Sequence, residues 1–165
     1  METELEKQDR DRRTIGIGML GYGMMGRAHS SAFRRLPQFF APIPLEPQLV
    51  AVAARSEDKL ADLADRFGYD TYYRGWEDLL ADARVEIFDN TAPNHLHAEP
   101  CIAAAKAGKH VICEKPLARS AAEAKRMLIA VREAGVKHLC GFNYRFLPAV
   151  RLAKQMVDDR KLGEI

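Results

Sequence analysis

The sequence predicts an α/β fold: a doubly wound parallel sheet with helices on both faces. Short apolar runs alternate along the chain with longer helical patterns. The runs are continuously apolar, which is typical of parallel strands that helices cover on both sides. The 165 residues are enough for one domain with its own core, and 47% of them are hydrophobic. Alternation of strand and helix favours right-handed crossovers between the strands.

Local signals place each element. Five strands are predicted at residues 14–20, 49–54, 85–89, 110–113 and 137–141, with a weaker sixth at 70–73. Six helices are predicted at residues 24–35, 57–67, 76–81, 96–107, 121–134 and 148–159. Ser56 and Ser120 are suitable N-caps, and Glu123 would complete a capping box. Gly68 and Gly135 are suitable helix stops.

One stretch interrupts this alternation. Residues 36–47 hold four prolines, which predicts a long non-helical segment in the first crossover. A loop of that length is often functional, and an apolar flap packed on the sheet edge is the equal alternative. Residues 1–13 are a charged lead-in that we expect to be frayed.

Composition excludes several classes of function. A net charge of +2 gives no electrostatic footprint for nucleic acid. The longest apolar runs are far shorter than the roughly 20 residues that span a bilayer, and the charged first residues do not resemble a signal peptide. Cys101, Cys113 and Cys140 have no C-x-x-C spacing, so we expect free thiols, no metal site and a cytoplasmic protein.

A glycine-rich turn follows the first predicted strand and opens the first helix. The pattern G-x-G-x-x-G is formed by Gly21, Tyr22, Gly23, Met24, Met25 and Gly26. Gly21 permits the tight turn, Gly23 admits a pyrophosphate, and Gly26 allows close packing of helix on strand. The helix N-terminus then offers N–H groups to the phosphates. The motif predicts a Rossmann dinucleotide site, and a plain turn with chance glycines is the alternative.

Two other nucleotide sites are less consistent with the sequence. A mononucleotide P-loop requires Lys and Ser or Thr after its last glycine, whereas Arg27 and Ala28 follow Gly26 here. A methyltransferase would need an acidic residue after the second strand to hold a ribose. These absences favour a dinucleotide.

The end of the second strand bears on which dinucleotide binds. Arg55 and Ser56 follow that strand, Lys59 lies one turn further on, and no acid stands at the strand end. An acid there would hold the ribose hydroxyls of NAD, whereas an arginine accommodates the 2′-phosphate of NADP. The sequence therefore favours NADP over NAD. A solvated Arg55, with NAD held through the backbone, stays open.

The loops at the carboxyl ends of the later strands should carry the chemistry, because ligands of open parallel sheets lie there. Glu114, Lys115 and Pro116 follow the fifth strand. Proline restricts the preceding residue to extended conformations, which would fix the aim of Lys115 as an acid/base. A surface lysine in a turn is the alternative.

Two further segments reach the same edge. The first holds Thr91, Ala92, Pro93, Asn94 and His97, and its two histidines stand two residues apart, a poor spacing for a metal on a helix. A histidine here could contact the nicotinamide ribose or could cap and pack the local structure.

The second segment is Asn143, Tyr144 and Arg145, whose amide, hydroxyl and guanidinium groups suit a polyhydroxylated ligand. Capping of the last helix is the alternative.

Together these segments resemble the Gfo/Idh/MocA family of NAD(P)-dependent oxidoreductases. The matching segments are residues 21–26, 93–97, 107–117 and 143–145, and the run Ala-Gly-Lys-His…Glu-Lys-Pro at 107–116 is the most specific. The resemblance covers about residues 14–165 and, within the family, is strongest to sugar dehydrogenases. It implies hydride transfer between NAD(P) and a sugar or polyol.

The family pattern assigns roles by position. Lys115 matches the catalytic lysine, and we expect Lys115, Asn143 and Arg145 to face substrate. The expected cofactor contacts are Gly21, Gly23, Arg55, Asn94, His97 and Glu114, joined by Tyr22, Met24, Met25, Gly26, Ser56, Lys59, Thr91, Ala92 and Pro93. Two departures stand out: Arg55 replaces the acid of NAD-preferring members, and Thr91-Ala92 reverses a common Ala-Thr order.

The resemblance also implies a domain plan. Residues 14–147 would be the NAD(P)-binding domain, and residues 148–165 a linking helix toward a second, mostly antiparallel β domain whose residues are not in this sequence. An exposed apolar patch at the expected junction would favour self-association, such as a homo-oligomer. We expect this chain alone to bind a dinucleotide and to turn over poorly. A non-catalytic dinucleotide-binding module is the alternative.

Overall fold

A computed structural model describes residues 13–164 as six parallel strands with helices on both faces. The strands are β1 (Arg13–Leu20), β2 (Leu45–Ala53), β3 (Thr71–Tyr73), β4 (Ile87–Asn90), β5 (His110–Cys113) and β6 (His138–Cys140). Their order in the sheet is β3-β2-β1-β4-β5-β6, and every neighbouring pair is parallel. This order confirms the predicted doubly wound Rossmann sheet, including the weak strand β3.

Six α-helices connect or follow the strands. They are α1 (Met24–Phe39), α2 (Glu57–Phe67), α3 (Trp76–Ala81), α4 (Ala98–Lys106), α5 (Ala121–Glu133) and α6 (Pro148–Asp158). The predicted helix at 96–107 divides into a 3₁₀ turn, Asn94–Leu96, and α4. A second 3₁₀ turn, Asn143–Phe146, precedes α6. No helix within residues 13–164 is long and apolar enough to cross a bilayer.

Two apolar cores lie on opposite faces of the sheet. On one face Phe88 of β4 packs among residues of α3, α4 and α5. On the other, Ile17 and Met19 of β1 pack with Leu60 and Leu63 of α2. All of these side chains are at most 5% exposed. Burial on both faces explains why the strand runs carry almost no alternating polar residues.

The helix boundaries follow the predicted caps with one difference. Gly68 and Gly135 adopt left-handed conformations, φ 70° and 65°, directly after α2 and near the end of α5. The Ser120 hydroxyl accepts the Glu123 N–H at 3.2 Å, as predicted. A capping box also requires the Glu123 carboxylate to accept the Ser120 N–H. Here the carboxylate accepts the Arg119 N–H instead, at 3.0 Å.

The prediction that residues 36–47 are non-helical was wrong at its beginning. Helix α1 continues through Pro37 to Phe39, and the Phe40 N–H still donates to the Leu36 carbonyl at 3.0 Å. A proline in the final turn removes one helical hydrogen bond and leaves the rest of the ladder intact. The long interruption expected in the first crossover is therefore much shorter.

The same prediction was wrong at its end, because β2 begins at Leu45. Pro47 lies within β2, opposite Ile15 of β1. Strand β3 pairs only with residues 51–53 of β2, so Pro47 lies where β2 has a neighbour on one side alone. An edge position tolerates a residue without an N–H. Arg13, assigned to the lead-in, begins β1, and residues 1–12 lie outside the described residues.

The junction between β1 and α1 is the closest packing at the carboxyl edge. Gly21 has φ 107°, a conformation that favours glycine. A Cβ added at Gly26 would lie 2.3 Å from the Gly21 carbonyl oxygen. The third glycine of the motif is therefore required for packing, whereas a Cβ at Gly23 would meet nothing within 4 Å.

We predict that Gly26→Ala lowers the free energy of unfolding by about 1–3 kcal/mol, because the added methyl group displaces backbone. Gly23→Ala is the matched control and should leave stability within about 0.5 kcal/mol of the wild type. Urea unfolding followed by circular dichroism measures both. Equal stability of the two variants would contradict the packing role of Gly26.

Candidate functional site

A cleft of about 710 Å³ opens at the carboxyl edge of the sheet. It lies where the strand order reverses between β1 and β4, the position at which doubly wound sheets bind ligands. Its walls are residues 20–25 of the glycine turn, 53–55 after β2, 74–77 at the start of α3, and 91–93 with 96 after β4. The site predicted from the sequence therefore coincides with a cleft.

Most of the expected cofactor residues lie in this wall. Those that line the cleft are Gly21, Tyr22, Gly23, Met24, Met25, Arg55, Thr91, Ala92 and Pro93. Gly26 lies behind the turn, against the Gly21 carbonyl. Ser56 occupies the N-cap position of α2 without a side-chain bond to the helix. The Lys59 ammonium lies 5.7 Å from the centre of the Tyr22 ring, a cation–π distance.

Sequence reasoning missed the wall that follows β3. Arg74, Trp76 and Glu77 line the cleft beside Arg55. The signal was available, because β3 was predicted and the residues after a parallel strand reach the carboxyl edge. The strand was considered weak, so its loop was not considered as part of the site.

Buried polar side chains fix the loop after β4. The Asn90 amide donates to the Leu96 carbonyl at 2.9 Å, and its oxygen accepts the Ala92 N–H at 3.1 Å. The Thr91 hydroxyl donates to the Leu20 carbonyl at 3.0 Å. These bonds tie the loop to itself and to the end of β1, so this wall of the cleft is preformed.

His97 joins two loops of the site. Its ring is 1% exposed, with Nδ1 2.8 Å from the Pro116 carbonyl oxygen and Nε2 2.9 Å from the Ala92 carbonyl oxygen. Both ring nitrogens are therefore engaged by backbone. Contact between His97 and a cofactor stays a prediction, and what the geometry shows is a link between the loops after β4 and β5.

A buried group of charges lies beside that link. His29 of α1 stands between Asp89 of β4 and Glu114 after β5, with Nδ1 2.8 Å from Asp89 Oδ2 and Nε2 3.1 Å from Glu114 Oε1. The side chains are 20%, 0% and 8% exposed respectively. The Asp89 Oδ1 atom is buried and has no hydrogen-bond partner among the described residues.

The electrostatics of this group favour a charged imidazole. The hydrogen bond that His29 donates to Asp89 raises the pKa of His29, with the charges of Asp89 and Glu114 acting in the same direction against burial. Burial raises the pKa of Asp89, and His29 opposes that rise. An imidazolium with two N–H donors can satisfy one oxygen on each carboxylate.

His29 and Asp89 were not among the predicted site residues. The available signal was Asp89 itself, an acid at the end of an apolar strand. A buried carboxylate requires a partner, and a histidine on the helix after the glycine turn can supply one. Only the fold brings the two residues, 60 positions apart, together.

Lys115 follows this cluster and points outward. The Lys115 N–H donates to Glu114 Oε2 at 3.1 Å, whereas its side chain is exposed. The Lys115–Pro116 peptide bond is cis. Asn143 and Arg145 lie on the exposed 3₁₀ turn after β6, at the same edge of the sheet. The structure thus brings the predicted substrate residues to one edge.

Within the described range, no cluster of three or more His, Cys, Asp or Glu side chains has the geometry to hold a metal ion. Cys101 and Cys113 are buried free thiols, and Cys140 is partly buried. The arrangement at the edge instead offers helix N–H groups, a preformed apolar cleft and an exposed amine, which suit a dinucleotide and an acid/base reaction.

The fold and the cleft define a class: a Rossmann domain with its cleft at the strand-order reversal. A family model described as an oxidoreductase family with an NAD-binding Rossmann fold matches residues 15–142. The chain belongs to this family, Gfo/Idh/MocA, which confirms the resemblance carried by the glycine turn and the Glu-Lys-Pro run.

Relatives in the family are named as dehydrogenases of sugars and of myo-inositol. Levoglucosan dehydrogenase of Pseudarthrobacter phenanthrenivorans is 42% identical over 93% of this chain and 39% of its own length. D-xylose 1-dehydrogenase (NADP(+)) 2 of Haloferax volcanii is 36% identical over 82% of this chain and 41% of its own. A structure of levoglucosan dehydrogenase with NADH and levoglucosan superimposes with a TM-score of 0.88 over 93% of this chain and 41% of that one. The chain therefore spans about two fifths of the length of these relatives.

We predict that His29 stabilises the fold most below neutral pH. Its pKa in the folded state is raised above the ordinary value of 6.5. The stabilisation is therefore complete below that value and is lost as pH rises through the folded pKa. His29→Gln should lower the free energy of unfolding by about 1–3 kcal/mol near pH 6, and by less near pH 9.

Urea unfolding of both proteins at the two pH values measures this difference. His138→Gln, at an exposed position of β6, is the matched control and should change stability equally little at both. A difference for His29→Gln that is constant, or grows with pH, would contradict the charged imidazole.

Proposed function

We propose that this chain is the dinucleotide-binding part of an NAD(P)-dependent dehydrogenase that acts on a sugar or polyol hydroxyl. The observation that carries the proposal is the glycine turn at the strand-order reversal, opening onto the 710 Å³ cleft. Dinucleotides bind at that position in doubly wound sheets. The names of the relatives support the substrate class.

The start of α1 would hold the pyrophosphate. No acidic residue lies in its first turn, so no carboxylate of the helix itself competes for its free N–H groups and its positive end. Open space beside Gly23 lets phosphate oxygens approach the backbone. Residues 91–93 would form the opposite wall.

The preference for NADP rests on Arg55. Its guanidinium is exposed at the end of β2 and lines the cleft, where it can pair with a 2′-phosphate. Glu77 lines the same cleft and is the acid available to ribose hydroxyls. The balance of these two side chains sets the choice between NADP and NAD. Relatives of both kinds are represented, one named for NADP(+) and one solved with NADH.

Lys115 is the proposed acid/base. A bound nicotinamide supplies the hydride acceptor or donor, and the Lys115 amine takes up or returns the proton of the substrate hydroxyl. Glu114 and Pro116 hold its backbone through hydrogen bonds to His29 and His97, while the Lys115 side chain is exposed at the carboxyl edge of the sheet. Asn143 and Arg145 would contact substrate hydroxyls from the neighbouring loop.

An exposed apolar surface covers the end of the chain. We assign to it the docking of the second domain that the family resemblance implies. Its side chains are between 42% and 69% exposed and comprise Phe142, Tyr144, Phe146, Leu147, Val150, Leu152 and Val157. Many exposed apolar side chains in one short segment indicate an interaction site. Association between copies of the isolated chain would use the same surface.

Calorimetric titration of the purified chain with NADPH and then NADH tests the cofactor. We predict that NADPH binds more tightly and that Arg55→Ala weakens NADPH binding by about ten- to a hundredfold while changing NADH binding little, since one charge-assisted phosphate contact contributes about 1.5–3 kcal/mol. Arg132→Ala, at an exposed position of α5, is the control. Binding of neither dinucleotide would overturn the proposed function, and equal binding would overturn the role of Arg55.

Replacement of the lysine separates binding from chemistry. We predict that Lys115→Ala leaves dinucleotide affinity within about twofold in this chain, because the amine does not line the cleft. In a fusion to the second domain of a relative, the same change should reduce sugar oxidation at least about a hundredfold. Lys106→Ala, exposed at the end of α4, is the control. Unchanged turnover in the fusion would favour a non-catalytic module.

A further inference from the structure

Three residues of the buried charge cluster have no place in the cleft itself. His29, Asp89 and Glu114 come from α1, β4 and the loop after β5, and none of them lines the cavity. Burial of these ionisable side chains costs desolvation free energy, which is offset only where their mutual attraction and hydrogen bonds have good geometry. What they hold is the backbone next to the exposed lysine.

We propose that His29 is a positioning residue for Lys115: it ties the Glu114 carboxylate to Asp89 and so fixes the backbone that carries the lysine amine. The inference rests on the proposed function for the role of that amine. The linkage itself is a property of this chain and can be tested without a bound dinucleotide.

The first step of the argument is that Asp89 anchors the ring. Asp89 lies within β4, opposite Met19 of β1 and Ile112 of β5, and its side chain is fully buried. A residue inside the central sheet cannot move independently. His29, bonded to it at 2.8 Å, is thereby held to the rigid centre of the fold.

The second step is that the ring restrains Glu114. The Glu114 N–H donates to the Asn90 carbonyl at 2.9 Å, which places the residue at the edge of β5. Its Oε1 accepts from His29, and its Oε2 accepts the Lys115 N–H at 3.1 Å. Loss of the imidazole would leave one carboxylate oxygen in a buried position without a donor and free the carboxylate to turn.

The third step is that Gly141, directly after β6, limits the space beside the Glu114 carboxylate. A Cβ added at Gly141 would lie 2.7 Å from Glu114 Oε1 and 3.1 Å from its carboxyl carbon. Gly141 itself is bonded to the Cys113 carbonyl at 2.8 Å, so it cannot retreat without breaking the sheet edge. The carboxylate is therefore confined between His29 and Gly141, and the two residues act on one group.

Hydrogen exchange of the Lys115 amide tests the linkage. In the wild type this amide is bonded to Glu114, and His29→Gln should accelerate its exchange about tenfold, the effect of one hydrogen bond. The Val111 amide, inside β5, reports opening of the sheet, so its acceleration should equal the factor given by the measured loss of unfolding free energy, whereas the acceleration at Lys115 should not follow that factor. Acceleration of both amides by the same factor would show a merely structural role and overturn the proposal.

A double-mutant cycle with Gly141→Ala makes the test specific. Alone, Gly141→Ala should also accelerate exchange at Lys115 by about tenfold, because it displaces the same carboxylate. In the His29→Gln background it should add less than about twofold. Multiplicative effects of the two changes would overturn the proposal. If His29→Gln does not fold, an unchanged Lys115 exchange rate in Gly141→Ala would do so by itself.

The outcome is distinct from that of the cofactor titration. A chain that binds no dinucleotide but shows the coupled exchange would refute the proposed function and leave the linkage established. A chain that binds NADPH but shows uncoupled exchange would support the proposed function and overturn the linkage. In the fusion enzyme, His29→Gln should lower kcat with KM for the dinucleotide changed by less than about threefold, because His29 lies outside the cleft.

Discussion

The close approach of α1 to the end of β1 determines where the other groups at the sheet edge can lie. It depends on the absence of a side chain at Gly26, where a Cβ would penetrate the Gly21 carbonyl oxygen. One turn later the Ser30 hydroxyl donates to the Gly26 carbonyl and lies 2.7 Å from the Tyr69 hydroxyl. These contacts set the helix firmly on the sheet. The N–H groups at the start of α1 and the inward-facing His29 are therefore placed by one packing constraint.

The buried charges at this edge are balanced locally rather than by solvent. The single His29 ring bonds to both carboxylates, and one oxygen of Asp89 has no hydrogen-bond partner among the described residues. Such an arrangement costs free energy compared with an apolar core of the same volume. It is understandable where the fold must hold a loop in one conformation, and the loop held here is the Glu-Lys-Pro segment. His97 restrains the same segment at its other end, because its ring nitrogen Nδ1 lies 2.8 Å from the Pro116 carbonyl oxygen.

The fold was largely predictable because its signals are local. Continuous apolar runs, N-cap serines and stop glycines located all six strands and the helices between them. The predictions failed at two prolines, where the position of the residue in the fold decides whether a proline is tolerated. Pro37 is tolerated in a last turn, and Pro47 in a strand with one neighbour, and neither condition can be read from nearby residues.

The residues of the candidate site were predictable where their signals are local, as for the fold. The glycine turn and the loops after β4 and β5 were found because they follow strands. His29 and Asp89 were not, because their partnership is a contact between distant segments, and the wall formed by Arg74 and Trp76 depended on the least certain strand. A burial argument for Asp89 would have identified the need for a cation without identifying which one.

The Ala-Gly-Lys-His…Glu-Lys-Pro run contains two lysines with opposite situations. Lys109 is 9% exposed, and its ammonium donates to the carbonyl oxygens of Asp82 at 2.9 Å and Val85 at 2.7 Å, before the start of β4. Lys115, six residues on, is exposed at the other end of β5. An amine-reactive label applied to the folded chain should therefore modify the exposed Lys115 and spare the buried Lys109. The extent of labelling at each lysine would then report separately on the burial of the two ends of the four-residue strand β5.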